Sequence, residues 1–397
     1  MHKRLALLSL LAALTFSAST CNKTTTPNSN QQAAGQAPMK AGKWVPQWRS
    51  PAAQNAGGLY LAAFTYTCLA VLSQSVVYAA GDIPKGENSR VGIFARTTDG
   101  GATWTESEIT RPDMSIVSIN AMSFVSPATG WLVGFNSKHE GVVLKTVDGG
   151  ASWEATKLPI KQTPQTVCFT DENTGWLGGT SATPEEEDNE DDKKSFEGDP
   201  SDLLATTDGG KTWQSARRLP ISISDIFFLD KTTGWMSGQK GAIYKTVDGG
   251  RTWNTQKSEL ETGEGAMIDL TGDGAKKFRI IGIHFSDAEN GFAAAISNLG
   301  DNSEGRVLST VNGGASWAKK FIGGDFGFRD VFFVNGKVGW VLPDYGRYIY
   351  YTVDGGSRWL SEVLPFEQDI PFFRIQGADE KHVWVAAGGA IFFRTEE

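Results

Sequence analysis

The chain has 397 residues, 40% of them hydrophobic, with three cysteines, four histidines and a formal net charge of −8. That composition supports a packed core and excludes wholesale disorder. Nine acids and two lysines between residues 185 and 199 carry most of the negative charge, so there is no basic stripe for nucleic acid, and without a CxxC or HExxH motif neither a metal site nor another cofactor is expected.

Residues 1–20 read as an export signal: Met1-His2-Lys3-Arg4 precedes a short Leu/Ala-rich stretch, too brief for a membrane span. The stretch ends Ala18-Ser19-Thr20-Cys21, which resembles a bacterial lipoprotein signal. The resemblance implies lipidation of Cys21 and attachment to, rather than passage through, the membrane. Residues 21–42, rich in Thr, Asn, Gln, Ala and Pro, read as a disordered tether.

The segment Lys43-Trp44-Val45-Pro46-Gln47-Trp48 then looks like a lone strand. After it a pattern recurs six times: Ser/Thr-x-Asp-Gly-Gly-x-x-Trp, from Thr97, Thr146, Thr206, Thr246, Thr310 and Thr352. Each copy closes a short apolar run such as Val142-Val143-Leu144 and opens another strand at its Trp. The two glycines supply positive φ, and the acidic residue can accept hydrogen bonds from the turn. Asp99, Asp148, Asp208, Asp248 and Asp354, with Asn312 in the fifth copy, are therefore read as structural turn locks and not as catalytic or metal-binding groups. Upstream of most copies lies Phe-x5-Gly-Trp, at Phe124, Phe169, Phe228 and Phe333, and with Phe292 replacing Trp after Phe285. One such unit makes four antiparallel strands, a propeller blade.

Of the 13 tryptophans, six lie in the turns, five (Trp131, Trp176, Trp235, Trp340, Trp384) in second strands, and Trp44 and Trp48 in the lone strand, leaving none as a stacking platform for sugars or bases. The C-terminus supplies three further strands, the last stopping at Thr395 where a seventh turn would begin. Joined to residues 43–48, they complete a seventh blade. The expectation is an all-β, seven-bladed propeller over residues 43–397, its last blade closed by the N-terminal strand. Cys68 and Cys168 fall on first strands of non-adjacent blades, so a bond between them is disfavoured and two buried free thiols are expected.

Function is less visible. Length variation collects in residues 82–91, 135–140, 180–200, 255–277 and 297–304, all on the face opposite the Asp-Gly-Gly turns, and that loop-rich face is expected to carry binding. The acidic run 185–199 reads as a solvated loop. Asp269 to Gly274 looks like the start of a calcium loop, but Ile280 stands where the bidentate Glu belongs.

The combined pattern resembles the BNR/Asp-box propellers and, more closely, the photosystem II stability/assembly factor family. The resemblance implies a non-enzymatic scaffold that engages membrane-protein assembly intermediates, with a positive patch of arginines on one surface. The expected role is an exported, lipid-anchored, monomeric envelope propeller that binds a protein partner. The alternative is a carbohydrate-binding or sialidase-like glycoside-hydrolysing propeller. Sialidases resemble the chain in their Asp boxes, but they need an arginine triad and a Tyr–Glu pair. The nearest match to their first arginine motif, Phe373-Arg374-Ile375-Gln376, lies in the last blade without its Pro. Asp225 and Asp330 recur at matching first-strand positions, which favours a structural role for both.

Overall fold

A computed structural model describes residues 42–51, 66–85, 89–111, 113–181, 200–256, 278–297, 304–322, 326–366 and 369–396. The expected signal, Cys21, the acidic run 185–199 and the calcium-like segment 269–274 lie outside these residues.

Seven four-stranded antiparallel sheets form a ring, a seven-bladed β-propeller. The first strands are Tyr66–Val71, Ile116–Phe124, Gln162–Phe169, Ile223–Phe228, Phe278–Phe285, Phe328–Phe333 and Ile370–Gly377, and each contacts the next, so together they surround the axis. They are buried on both faces, which is why their apolar residues do not alternate strictly with polar ones. The ring closes as the sequence suggests. Gly42–Arg49 pairs antiparallel with Ala390–Glu396, register Gly42 to Glu396 and Arg49 to Ala390. Blade 7 also gains a short fifth member, Tyr345–Gly346, paired with Ile370 and Pro371.

The core is divided into the seven gaps between blades, and the two sequence motifs interlock there. The Trp of one blade stacks on the Phe of the next: Trp131 on Phe169 at 3.5 Å, Trp176 on Phe228 at 4.2 Å, Trp235 on Phe285 at 3.5 Å. The turn Trp of the second blade then meets that Phe edge-on, as Trp213 does Phe169 and Trp253 does Phe228, both at 5.8 Å. Each ring contact adds about 0.5–1.5 kcal/mol beyond the area it buries. Blade 5 keeps the arrangement with Phe292 on Phe333 at 3.3 Å.

Blade 7 departs from it. Gly377 occupies the Phe position, and Trp340 instead lies under the Arg394 guanidinium, 5.5 Å from the ring centre. The register also corrects the sequence alignment at the C-terminus. Trp131 opposes Lys145, and Trp384 opposes Phe393, so Arg394 and not Thr395 stands at the place of the turn threonine. A shift of one residue turns a side chain to the other face. Arg394 therefore points inward, where it forms a buried ion pair with Glu362 of blade 6, Nη2 to Oε1 at 2.8 Å. The same carboxylate accepts the Gly42 N–H at 2.8 Å. With no covalent turn between these strands, one carboxylate ties the C-terminal strand, the closing strand and blade 6 together.

Cys68 is a buried free thiol, pushed up to about 12 by burial. Cys168 is also buried and is disulfide-bonded. This corrects the expectation of two free thiols. The two cysteines are not bonded to each other, and the first strand of blade 2 runs between theirs.

Candidate functional site

The six turns are alike. Thr97 Oγ1 donates to Asp99 Oδ1 at 2.7 Å and accepts the Gly101 N–H at 2.9 Å. Asp99 also accepts the Thr103 N–H at 2.9 Å and its hydroxyl at 2.6 Å. Gly100 and Gly101 have φ of 71° and 89°, the left-handed region that favours glycine. Gly100 then donates its N–H to Ser75 in the first hairpin of its blade, and the other five turns repeat that bond. The turns and first hairpins therefore share one end of the ring. Hydrogen bonds, led by those from Thr103 and Ser152, hold Asp99 and Asp148 down to about 2; those from Thr252 do the same for Asp248, and Asp208 and Asp354 are lowered likewise. Asn312 keeps the scheme, accepting the Ser316 N–H and donating from Nδ2 to its hydroxyl, both at 2.9 Å. All six side chains bond within their own turns on separate blades, so no catalytic pair or metal cage converges.

The other end carries the second-to-third-strand loops and the links between blades. It is also where the first strands begin, and each of these has a bulge near its start, at Thr67, Asn120, Gln165, Ser224, Ile281, Arg329 and Phe373. Polar residues beside the bulges bridge neighbouring blades. Thr166, Asp225 and Asp330 accept the N–H of Ile226, Ile283 and Ile375 respectively, at 3.2, 2.8 and 2.8 Å. The two aspartates are thus brought to one repeated position, each spending an oxygen on the next blade.

What sequence reasoning missed is a group of arginines on blades 5, 6 and 7. Arg279 donates from Nε to Ser224 Oγ at 3.1 Å, and burial together with the charge of Arg329 holds it down to about 10. Arg329 lies 5.6 Å over the Phe373 ring; burial lowers its pKa and the nearby Asp344 opposes the shift. Arg374, almost fully buried, pairs with Asp330 at 3.3 Å. Burial pushes the carboxyls of Asp330 and Asp344 up, against the pull of these arginines. The available signal was a charged residue inside an otherwise apolar first strand, as in Phe278-Arg279-Ile280. Arg374, the nearest match to a sialidase arginine motif, is buried with its guanidinium 3.3 Å from Asp330. Among the described residues, no three His, Cys, Asp or Glu side chains could hold a metal ion together.

A family profile described as photosynthesis system II assembly factor YCF48 matches residues 187–278. A solved structure of YCF48 bound to a D1 peptide is 15% identical, covers 91% of this chain and 99% of its own, and has a TM-score of 0.57. The chain resembles the photosystem II assembly factors. YCF48 from Cyanidioschyzon merolae is similar at 16% identity, 89% and 99% coverage and a TM-score of 0.57. A GH74 enzyme from Niastella koreensis is 14% identical with a TM-score of 0.56, matching 85% of this chain but 53% of its own. At such identities the solved structures speak for the fold alone. No protein in the search of curated sequences matches.

Proposed function

We propose that this propeller is a non-enzymatic scaffold of the bacterial envelope that binds a protein partner, such as a membrane-protein complex, through its loop-bearing face. The observation that carries the reading is the division of labour between the two ends. At the turn end every recurring polar side chain is consumed by the scaffold. At the other end the loops vary and charged side chains gather beside the axis. The similar YCF48 structure, solved with a D1 peptide, supports a polypeptide as the ligand class. Export, anchoring at Cys21 and a monomeric state belong to the same proposal; with Cys68 free, a lipid on Cys21 and a disulfide at Cys168 exclude each other, so the anchored form holds Cys168 as a thiol.

Affinity capture from the native envelope with mild crosslinking tests it. One membrane complex should be recovered reproducibly and lost when the loops of that face are trimmed; no recovery above control would overturn it. Intact mass of the purified chain, with and without reductant, reads the state of Cys21 separately. The likeness to the GH74 fold keeps a glycan-binding reading as the alternative. A glycan array and a glycosidase panel would reveal it.

A further inference from the structure

Three Asn-Gly bonds occur in the sequence, at Asn290, Asn312 and Asn335. This dipeptide is prone to spontaneous deamidation, because glycine has no Cβ to keep its backbone nitrogen away from the asparagine side-chain carbon. The nitrogen must be free to turn toward that carbon, so hydrogen bonding in the fold decides which bond reacts.

Asn312 is locked. The Gly313 N–H is donated to the Glu289 carbonyl at 2.9 Å. Asn312 Oδ1 accepts from the Thr310 hydroxyl and the Ser316 N–H, and Nδ2 donates to the Ser316 hydroxyl. The same lock covers the Asp-Gly bonds of the other five turns, whose glycine N–H is spent on the first hairpin at 2.8 or 2.9 Å. Asn290 is fixed as well. Gly291 opens a strand paired on both sides, with Phe285 and Thr310, and Asn290 Nδ2 donates to Asp287.

Asn335 differs. It is exposed at the tip of the first hairpin of blade 6, and among the described residues the Gly336 N–H has no acceptor. Asn335 Oδ1 accepts the N–H of Lys337 and of Val338, both at 2.9 Å. Two donors on that oxygen stabilise the oxyanion that forms when a nucleophile adds to Cγ. Asp171, Asp230, Asp287 and Asp379 hold the same hairpin position with the same pair of bonds, and none of them is followed by glycine.

We propose that Asn335 is a site of spontaneous deamidation in the folded protein. The Gly336 nitrogen gives its proton to water and bonds to Cγ. The Cγ–Nδ2 bond breaks, and the leaving group takes a proton back from water to depart as ammonia. Water then opens the cyclic imide at one carbonyl to give aspartate or at the other to give isoaspartate. Aspartate preserves the hairpin, as the four aspartates at this position do, but it sets a carboxylate where Asn335 Nδ2 donates to Glu380 of blade 7 at 3.3 Å. Isoaspartate adds a methylene to the backbone ahead of Lys337, whose carbonyl accepts the Gly355 N–H of the blade 6 turn at 2.9 Å. Either product loosens the turn end of blades 6 and 7 and spares the loop end.

The purified chain is held at mildly alkaline pH and physiological temperature. Peptide mapping at intervals, with isoaspartyl methyltransferase labelling, follows all three asparagines. Asn335 should convert at least about five-fold faster than Asn290 and Asn312, the factor for one hydrogen bond that must open before attack. In urea the three should convert at similar rates, because the dipeptide is the same and only the fold distinguishes them. Equal rates in the folded chain, faster conversion at either other site, or a lead for Asn335 that persists in urea would overturn the proposal. So would a folded chain in which Asn335 does not convert at all.

Discussion

Glu362 offers the sharpest test of how the ring is held shut. Its carboxylate is buried against an equally buried Arg394, with contacts of 2.8 Å to Nη2 and 3.1 Å to Nε, and it also takes the Gly42 N–H. Glu362→Gln keeps the shape and removes the charge, leaving a guanidinium in the 6–7 gap without its counter-ion. Breaking a buried pair from one side costs about 3–5 kcal/mol, whereas replacing both members by apolar residues is often near neutral. Glu362→Gln alone is therefore expected to lose about 3–5 kcal/mol, and Glu362→Leu with Arg394→Met to recover to within about 1–2 kcal/mol of the parent. Urea unfolding followed by tryptophan emission reads both, and limited proteolysis should show the closing strand released first in the single variant. If the single variant costs less than about 1 kcal/mol, or the double variant is as damaged as the single, the latch does not hold the ring and the argument fails.

Four further outcomes are expected. Asp208→Asn should be nearly silent, because Asn312 already fills the same role, while Asp208→Ala should cost about 1–2 kcal/mol for the lost turn bonds; thermal melts separate them. Phe169→Ala, which removes the ring between Trp131 and Trp213, should cost about 3–5 kcal/mol, and Phe169→Leu clearly less, by the same unfolding assay. Acid should act in two windows. Burial pushes His284 down to about 4, and its Nδ1 accepts the Phe333 N–H, so the unfolded chain takes up a proton that the folded one refuses and stability falls from about pH 6.5 to 4. Asp99, Asp148 and Asp248, held near 2, contribute stability that is present above about pH 3.8 and lost between there and about pH 2; His284→Gln should erase the first window in a pH series of melts and leave the second. Replacing residues 185–199 by a short Gly-Ser linker should leave the melting temperature unchanged, since a run of like charges contributes little to packing.

The fold was legible because the blades must repeat what stabilises them. A turn that needs an acceptor and two left-handed residues writes Asp-Gly-Gly each time, and a gap that needs two stacked rings writes Phe and Gly-Trp each time. Even the closure could be read, since Trp44 carries the turn tryptophan without its turn. The register at Arg394 was not legible: Thr395 matched the pattern by type, and only pairing with Trp384 shows which of the two faces inward. The candidate site was the least legible part. Arg279, Arg329 and Arg374 share no repeated position, and they meet only because three successive first strands begin at one end of the ring. Repetition advertises scaffold, whereas a site made once leaves a single irregular residue in each blade.

The closing strand has a consequence for the order in which the molecule comes into being. Lys43 is among the first residues of the propeller to be synthesised, and the hydroxyl that caps its carbonyl belongs to Thr395, 352 positions later. Every other blade can pair as soon as its own fifty-odd residues exist, at a loop-closure cost that rises only slowly with length. The seventh cannot, and until the last strand emerges the first one remains an unpaired edge bearing Trp44 and Trp48. The chain thus cannot complete its ring from the ribosome outward. A truncated copy, however nearly whole, would leave that strand exposed as a marker of its incompleteness.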